Sequence, residues 1–322
     1  MNKVKWGILG CGGIAHKFAR SLAVVSTGDL VACASQTPGK AEAFAQCEKV
    51  PLFYDSYEAL LVDSKVDAIY VATTHNFHVE NVLLALAHGK AVLCEKPLGV
   101  NAEESQSMAA AANVKGLFLM EGMWTRFLPA HQQLKRWLDA GVIGEVQMLR
   151  ANFCIQKPFE PEHRLYNPAL AGGALLDVGV YPVSFASFVM GEAPERIAVL
   201  ADMAPTGVDQ TTLMSFAYAR GAMAQLSCGI TAASENRAEI VGTLGRIILP
   251  ERFHGADTIE RVMTDGHQEK LEYPYEDATG FRYEIEAVHV CLRQGQTHCA
   301  LMPTSESVEI AQTMDRVRAN FR

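Results

Sequence analysis

The sequence predicts two domains, an α/β domain built on a parallel sheet and an α+β domain with a largely antiparallel, open-faced sheet. Three observations predict this. A glycine-rich turn follows the first apolar run, and apolar runs then alternate with helical stretches as far as residue 121. Beyond that point, strand-like runs follow one another without helices between them. We therefore divide the chain into residues 1–121 and 122–322.

Strands and helices alternate through the first domain. Apolar runs bounded by turn residues predict strands at Val4–Leu9, Leu30–Ala34, Ala68–Ala72, Ala91–Cys94 and Leu117–Met120. Helical spacing of apolar residues, or a composition rich in Ala and Glu, predicts helices at Ala15–Ala23, Phe77–His88 and Ala102–Asn113. Since parallel strands need crossovers of this kind, we expect a parallel sheet.

The second domain has a different pattern. The predicted strands are Val146–Ile155, Thr211–Tyr218, Met223–Ile230 and Arg237–Val241. The predicted helices are Pro129–Ala140, Gly173–Met190, Phe281–Arg293 and Ser305–Ala319. Because an exposed apolar sheet face usually finds a partner, the open face predicts a homodimer.

Composition excludes several classes of function. With 322 residues, of which 49% are hydrophobic, the chain can bury more than one core. A net charge of −8 without a basic run argues against a nucleic-acid partner. We find neither an apolar stretch of about 18 residues nor a signal-peptide pattern, so we expect a cytoplasmic protein that does not enter a membrane. The eight cysteines are scattered singly, which predicts reduced thiols and no zinc site.

The glycine-rich turn fits the motif G-x-G-x-x-G/A. It lies between the first strand and the first helix, and its predicted ligand-binding residues are Gly10, Gly12, Gly13, Ile14 and Ala15. The glycines allow a tight turn and a close approach of the backbone to a pyrophosphate, and the helix N-terminus offers free N–H groups. This context predicts a Rossmann domain that binds NAD or NADP.

The end of the second strand bears on the choice between the two cofactors. A Rossmann domain that prefers NAD places an acid about 20 residues after the motif. This sequence has Ser35, Gln36 and Thr37 there, followed by Lys40, and these groups could hydrogen-bond a 2′-phosphate. The prediction is NADP, with NAD possible, and the alternative is that these are ordinary turn residues.

Two further segments bring polar groups to positions suited to chemistry. Glu95, Lys96 and Pro97 end the fourth predicted strand, at the carboxyl edge where open α/β sheets bind ligands. Asp177 and Tyr181 are four residues apart in a predicted helix, which places both on one face. Taken alone, Asp177 and Tyr181 could also be a capping acid and a half-buried aromatic residue.

Together these motifs resemble the glucose–fructose oxidoreductase/inositol dehydrogenase (Gfo/Idh/MocA) family. The resemblance rests on the glycine motif at residues 10–15, on Glu95-Lys96-Pro97 and on the segment 172–181 that ends at Tyr181. Residues 119–129 and 172–181 look most like its branch of dimeric trans-dihydrodiol dehydrogenases and NADP-linked pentose dehydrogenases.

The resemblance implies roles for individual residues. Lys96 and Tyr181 would share the catalytic work, and Asp177 would orient the substrate. Many relatives have His where this chain has Tyr181. A phenol with a pKa near ~10 is a weak base at neutral pH, so a neighbouring ammonium such as that of Lys96 would favour the phenolate. The loop after the third predicted strand resembles the one that passes the nicotinamide in this family, and its residues are Thr73, Thr74, His75, Asn76 and His78.

Other candidates have competing interpretations. The pair His75 and His78 could bind a metal, but no Cys or acid cluster stands nearby in sequence, and we predict none. Trp124 and Arg126 could contact a substrate or serve interdomain packing. Weaker candidates for the same substrate cleft are Phe153, His163, Arg164 and Tyr166.

The combined prediction is an NADP-dependent dehydrogenase acting on a sugar or a cyclic vicinal diol. A ketosugar reductase would use the same residues. A dinucleotide-sensing protein without turnover is the alternative from another class, since folds of this kind also serve as sensors. The presence of Lys96, Asp177 and Tyr181 together argues against a sensor.

Overall fold

A computed structural model describes residues 3–321, apart from the side chain of Asp277. The chain divides into two compact units. The first contains the chain up to Phe127 and also Tyr275–Val308, and the second contains Leu128–Pro274 and the chain from Glu309 onward. The sequence-based division treated each domain as one continuous segment. The structure differs, because residues 275–308 return to the first unit.

Specific contacts explain why this late segment belongs to the first unit. The Trp6 indole N–H donates to Nε2 of His289 at 2.7 Å, deep in the interior of the unit. The backbone N–H of Leu119 donates to the carbonyl of Thr297 at 3.2 Å. Contacts between residues far apart in sequence leave no local pattern, so strand and helix periodicity could not reveal them.

The helices and strands follow the predicted alternation closely. The strands are β1 (Val4–Leu9), β2 (Gly28–Ala34), β3 (Leu52–Tyr54), β4 (Ala68–Val71), β5 (Ala91–Glu95), β6 (Leu119–Gly122), β7 (Val146–Cys154), β8 (Arg196–Met203), β9 (Asp209–Ala217), β10 (Met223–Gly229), β11 (Ala238–Gly242), β12 (Gly245–Leu249), β13 (Thr258–Met263) and β14 (Gln268–Glu272). The α-helices are α1 (Gly13–Ala23), α2 (Lys40–Glu48), α3 (Tyr57–Leu61), α4 (His78–Ala87), α5 (Ala102–Lys115), α6 (Pro129–Asp139), α7 (Val180–Met190), α8 (Arg282–Arg293) and α9 (Thr304–Arg318).

The first unit is built on a six-stranded sheet with the order β3-β2-β1-β4-β5-β6. All its neighbouring strands are parallel. The predicted parallel sheet is confirmed, and the strand that the sequence did not predict is β3, which has only three residues. Because the strands are parallel, the loops that follow β1, β2, β4 and β5 all leave the sheet at the same edge.

The second unit contains an eight-stranded sheet with the order β14-β13-β12-β11-β7-β10-β9-β8. Its neighbouring strands are antiparallel except for the parallel pair β7 and β10. Side chains on one face are buried, whereas Leu200, Leu213 and Met223 on the other face are 69%, 51% and 54% exposed. The predicted open-faced sheet is therefore confirmed.

The helical segment before and within α7 has two notable features. It contains a π-helical turn at Leu175–Gly179, a local widening that often occurs at functional sites. The segment Pro168–Met190 is also long and apolar enough to cross a membrane by length and composition, which the sequence analysis did not anticipate. Since 72% of its most apolar window is buried inside the protein, it fits the core helix of a globular unit.

Candidate active site

The glycine-rich loop after β1 has the shape of a phosphate cradle. Gly10 has φ +93°, and a Cβ there would lie 2.9 Å from the carbonyl carbon and oxygen of Ala72, so the position requires glycine. A Cβ on Gly12 or Gly13 would meet nothing within 4 Å. Helix α1 begins at Gly13 with its first N–H groups directed toward this open space. The loop therefore fits a dinucleotide pyrophosphate.

The other residues predicted for the cofactor site lie in the first turn of α1 and at the end of β2. Ala15 lies on the buried face of α1 and is fully buried, and Ile14 is half-buried in the first helical turn. After β2, the Ser35 hydroxyl accepts from the Thr37 N–H at 3.2 Å, while the side chains of Gln36 and Thr37 are exposed. The structure thus leaves exposed polar groups, and no carboxylate, at the end of β2.

Lys40 begins α2 close to the glycine-rich loop. The pKa of the Cys11 thiol is lowered by hydrogen bonding with Cys33 and also by the positive charge of Lys40, while burial opposes both. The geometry agrees: the Cys11 thiol donates to the carbonyl of Ala34, and the Cys33 thiol donates to the carbonyl of Ala41, the residue after Lys40, both at 3.5 Å. Lys40 is itself exposed and can be reached by a ligand anion.

His78 connects two segments that the sequence predicted for the cofactor site. Its Nδ1 lies 2.8 Å from the carbonyl of Pro97, and its Nε2 lies 3.2 Å from the carbonyl of Thr73. The side chain is fully buried, and burial lowers the pKa of His78. A neutral imidazole has one N–H and donates to only one of these two carbonyls, so the ring lies between the loop after β4 and the loop after β5 and bonds to one of them.

The other polar groups of the loop after β4 are also held in place. The Asn81 amide donates to the Thr73 hydroxyl at 3.2 Å, and the Thr74 hydroxyl donates to Asn76 Oδ1 at 2.8 Å. His75 is buried and packs edge-on against the His78 ring at 5.8 Å between centroids. These bonds fix the backbone of the loop at the carboxyl edge of the sheet.

Lys96 follows directly after β5, and its neighbour Glu95 is fixed on both carboxylate oxygens. One oxygen accepts a short hydrogen bond from the Tyr70 hydroxyl, and the other accepts from the backbone N–H of Lys96 at 3.2 Å. Burial, with the charge of Glu95, raises the pKa of Tyr70 well above its ordinary value, so the phenol remains a donor. Sequence reasoning missed Tyr70, since it reads as an apolar strand residue.

Two other buried acids lie in this unit. The Glu121 carboxylate accepts from the backbone N–H of Leu98 at 3.1 Å, next to the loop that carries Lys96. Glu284 of α8 is fully buried, and neither of its carboxylate oxygens has a hydrogen-bond partner within residues 3–321. Burial raises the pKa of both carboxyl groups, that of Glu284 well above its ordinary value, which favours the neutral form of the acid.

In the second unit, Asp177 lies in the π-helical turn and is paired with an arginine. Arg164 donates to the two carboxylate oxygens at 2.7 and 3.4 Å. Asp177 is 7% exposed, whereas the Arg164 side chain is about half exposed. A bidentate pair of this kind fixes the plane of the carboxylate. The sequence indicated both residues as candidates for the substrate cleft but did not predict that they pair.

Asp209, at the start of β9, holds the chain just before Asp177. One of its carboxylate oxygens accepts from the Leu175 N–H and from the Thr212 hydroxyl, both at 2.8 Å. A Cβ at Gly173, where φ is +119°, would lie 2.4 Å from the other oxygen. Asp209 therefore anchors the turn that carries Asp177, and Gly173 makes room for it. An isolated acid at a strand start has no signal that sequence reasoning could use.

Tyr181 begins α7 within a group of three rings. Its ring centroid is 5.1 Å from that of Phe153 at the end of β7, and 5.6 Å from that of His254. Phe153 and His254 are stacked on each other at 3.7 Å. Tyr181 and His254 are half-buried, so the group is accessible from solvent. Sequence reasoning identified Phe153 and Tyr181 but missed His254, which lies in no motif.

Trp124 and Arg126 are both buried within the first unit. The Trp124 ring packs against Phe281 at 5.2 Å between centroids. Arg126 is 3% exposed, and its guanidinium donates to Glu306 at 2.7 Å and to the carbonyl of Leu301 at 3.3 Å. These contacts are structural, and substrate contact by either residue stays a prediction.

Among the described residues, one group could hold a metal ion, and it is not the pair His75 and His78. The donor atoms of His16, Cys47 and Glu48 lie within 4.8 Å of one another. The Glu48 carboxylate already pairs with His16 Nδ1 at 2.7 Å and with Arg20 at 3.2 Å. The positive charge of the Arg20 guanidinium already pairs with the Glu48 carboxylate, where a metal ion would have to compete with it.

Comparison with known proteins places the chain in a family. Residues 4–123 match the oxidoreductase family with an NAD-binding Rossmann fold, and residues 131–248 match the GFO/IDH/MocA C-terminal domain. The trans-1,2-dihydrobenzene-1,2-diol dehydrogenase of Macaca fascicularis is 38% identical over 98% of this chain and 96% of its own length. The enzyme of the same name from Homo sapiens is 37% identical over the same shares.

Solved structures agree with this assignment. KijD10, a 3-ketoreductase from Actinomadura kijaniata in complex with TDP-benzene and NADP, is 30% identical, has a TM-score of 0.86 and covers 100% of this chain and 98% of its own. The aldose–aldose oxidoreductase of Caulobacter crescentus shares the fold, with a TM-score of 0.89 at 21% identity over 99% of this chain and 97% of its own. The chain therefore belongs to the Gfo/Idh/MocA family of NAD(P)-dependent oxidoreductases, which act on CH–OH groups.

Proposed function

We propose that this enzyme exchanges hydride between NADP and the hydroxyl carbon of a cyclic vicinal diol or a sugar. Tyr181 and Lys96 are both required for the proton exchange, and Asp177 orients the substrate. One observation carries the proposal: the half-exposed Tyr181 phenol lies against Phe153, four residues after the Asp177 carboxylate. An aromatic wall accepts the face of a ring, and a carboxylate accepts hydrogen bonds from hydroxyl groups.

Each residue has a defined task. The cofactor, when bound, accepts or returns the hydride. In oxidation, Tyr181 accepts the proton of the substrate hydroxyl as its carbon is oxidised, and in reduction Tyr181 returns that proton to the forming alkoxide. An ordinary phenol is a weak base at neutral pH and needs a positive charge to favour the phenolate, and the family resemblance assigns that task to the ammonium of Lys96. Arg164 fixes the carboxylate plane of Asp177 and so the direction of the hydrogen bonds it accepts.

The relatives support the substrate class. The dihydrodiol dehydrogenases at 37–38% identity act, by name, on a cyclic vicinal diol. KijD10 is, by name, a 3-ketoreductase whose structure is a complex with TDP-benzene and NADP, which supports NADP as the cofactor and a hydroxyl or carbonyl group as the reacting group. We therefore rank cyclic trans-diols first and pentoses second among the compounds to be tested.

The decisive experiment follows NADP reduction by absorbance with trans-1,2-cyclohexanediol and D-xylose. The wild type is expected to reduce NADP with at least one of them. Tyr181→Phe and Lys96→Ala are each expected to lower kcat by about 10²–10⁴-fold, the usual contribution of a general acid–base group. The Kd of NADP for Tyr181→Phe should change little.

The double variant tests whether the two residues act as a unit. If they do, Lys96→Ala combined with Tyr181→Phe is no slower than the slower single variant, because groups that act together are not additive. A Tyr181→Phe enzyme with wild-type kcat contradicts the proposal. Turnover in the reverse direction only, with a ketosugar and NADPH, supports the reductase alternative. Absence of turnover with every substrate supports a sensor.

The preference for NADP rests on the groups after β2. Ser35, Gln36, Thr37 and Lys40 offer hydroxyl, amide and ammonium groups, and no carboxylate stands there to repel a 2′-phosphate. The 2′-phosphate is a charged acceptor that bonds well to such donors. This assignment would be contradicted by equal affinities for NADP and NAD.

We further propose that the enzyme is a homodimer that pairs through the open face of the second sheet. Leu200 lies opposite Leu213 on neighbouring strands, and both are more than half exposed. A two-fold interface brings the same patch of each copy together, so an apolar patch is self-complementary. Light scattering should give the mass of a dimer for the wild type and of a monomer for Leu200→Glu combined with Leu213→Glu. Val114→Glu, at an 88% exposed site on α5, is the control and should remain dimeric.

A further inference from the structure

The turn Phe253–Gly255, which carries His254, contacts helix α7 at two successive helical turns. Phe253, which is fully buried, packs against Phe185 at 5.2 Å between ring centroids. The next residue, His254, packs against Tyr181 at 5.6 Å with an interplanar angle of 60°. Because Tyr181 and Phe185 are four residues apart, they lie on the same face of α7. The two contacts therefore act on one side of the helix that presents the proposed acid–base group.

The backbone of this turn is held in an uncommon conformation. Arg252, just before it, has φ +44° and ψ +50°, a left-handed conformation that is unfavourable for a non-glycine residue. The Phe253 N–H donates to the carbonyl of Asn236 at 2.7 Å, and Asn236 is itself left-handed with φ +56°. Two adjoining segments thus adopt unfavourable backbone conformations beside the same ring group. Such residues concentrate where a side chain must be aimed.

The Asn236 side chain extends this support to the strand end that carries Phe153. Its Oδ1 accepts from the backbone N–H of Cys154 at 2.7 Å. The turn of His254 and the end of β7 are thus tied to one residue, which explains how the rings of Phe153 and His254 come to stack at 3.7 Å with planes only 11° apart. A stacked pair held by backbone bonds on both sides is a rigid wall.

We infer that Phe153 and His254 form an aromatic wall that sets the orientation of the Tyr181 ring, which makes His254 a positioning residue. The inference rests on the proposed function of Tyr181. A tyrosine ring has two torsion angles, and the terminal one is broad, so the direction of the hydroxyl depends on what confines the ring. The wall confines the ring from one side, since the Phe153 and His254 centroids, at 5.1 Å and 5.6 Å from that of Tyr181, lie only 3.7 Å from each other. Displacement of a reacting group by about 1 Å can cost a hundredfold in rate.

The test compares His254→Ala with His254→Phe in the wild-type background. His254→Ala removes one of the two rings of the aromatic wall and is expected to lower kcat about tenfold or more, while the KM for the diol changes less than about threefold. His254→Phe keeps an aromatic ring at the same position and should restore kcat to within about threefold of the wild type. His267→Ala, at an exposed histidine between β13 and β14, is the matched control and should leave both constants unchanged.

Two measurements make the result unambiguous. If His254 acts through Tyr181, His254→Ala causes no further loss of kcat in the Tyr181→Phe background. A wild-type kcat for His254→Ala contradicts the positioning role of His254. Equal losses in His254→Ala and His254→Phe also overturn it, because they would assign the effect to the imidazole nitrogens. A fully active Tyr181→Phe enzyme instead contradicts the proposed function itself, so the two failures are distinguishable.

Discussion

The two units place their functional groups by different physical means. In the first unit, the predicted cofactor site is made largely of backbone: a glycine-rich turn, a helix N-terminus and loops tied by carbonyl groups at one sheet edge. In the second unit, the proposed substrate site is made of side chains that orient one another. Arg164 fixes Asp177, and His254 contacts Tyr181. The first site depends on a fold, and the second depends on individual residues.

This difference has a consequence for how each site tolerates change. A backbone site fails when a side chain intrudes, whatever its chemistry, whereas a side-chain site fails when a specific partner is lost. The dinucleotide is a large, constant ligand that suits the first kind of site. Substrate specificity can vary by exchanging side chains of the second kind without altering the fold.

The largest effect is expected for Gly10→Ala in the first unit. The new Cβ would lie 2.9 Å from the backbone of Ala72 and would also require φ near +93°, so the loop must move. We expect NADP affinity to fall at least about a hundredfold, since roughly 3 kcal/mol corresponds to that change. Fluorescence titration with NADPH measures it.

Gly89→Ala is the matched control for this experiment. Gly89 has φ +74°, and a Cβ there would meet nothing within 4 Å. The control therefore carries the cost of a left-handed alanine, about 1–2 kcal/mol of stability, without a clash. Its NADP affinity should equal that of the wild type. Equal losses of affinity in both variants would mean that the loop is not a backbone-defined site.

Sequence reasoning succeeded where function depends on backbone pattern. The glycine motif, the strand alternation and Glu95-Lys96-Pro97 are local features, and local features can be read from a sequence. It failed for Asp209 and His254, because their partners are distant in sequence and neither residue belongs to a motif. It also missed the return of residues 275–308, whose buried histidine reaches β1 across most of the chain.

The next largest effect is the pH dependence of stability that we expect from this histidine, His289. His289 accepts a hydrogen bond from Trp6 on Nε2, so Nδ1 carries the N–H, which donates to the Thr27 hydroxyl at 2.8 Å. Protonation of Nε2 would place its N–H against the indole N–H of Trp6. Burial, with the charge of Arg293, lowers the pKa of His289 to about 4. In the unfolded chain the pKa is near ~6.5. The unfolded state therefore binds more protons between these values, and the stabilisation present above about pH 6.5 is lost as the pH falls toward 4.

The expected loss is about 3 kcal/mol in the free energy of unfolding, from about 1.4 kcal/mol for each pH unit of difference. Urea unfolding at pH 7 and pH 4.5 measures it. His289→Gln cannot titrate, so its stability should depend less on pH over this range, although it is less stable than the wild type at pH 7. If both proteins lose the same stability on acidification, His289 is not the group responsible.

A smaller effect is expected for Asp209→Ala in the second unit. The substitution leaves the Leu175 N–H and the Thr212 hydroxyl without their acceptor, at a cost of about 2 kcal/mol. Because the freed segment carries Asp177, kcat should fall about tenfold while NADP affinity stays unchanged. Asp202→Ala, at an exposed aspartate on β8, is the control and should preserve kcat. Loss of NADP affinity in Asp209→Ala would break the distinction between the two sites.

The smallest effect is expected where a side chain contributes to the backbone-made site. Lys40→Gln removes the ammonium near the glycine-rich loop and should weaken NADP binding about tenfold, the value of a partly exposed charge–phosphate contact of about 1.4 kcal/mol. NAD affinity should not change, since NAD lacks the 2′-phosphate. Lys65→Gln, at an exposed lysine after α3, removes the same charge and should leave the ratio of the two affinities unchanged. A ratio that is unaltered in Lys40→Gln would assign cofactor choice to the hydroxyl and amide groups of Ser35, Gln36 and Thr37 instead.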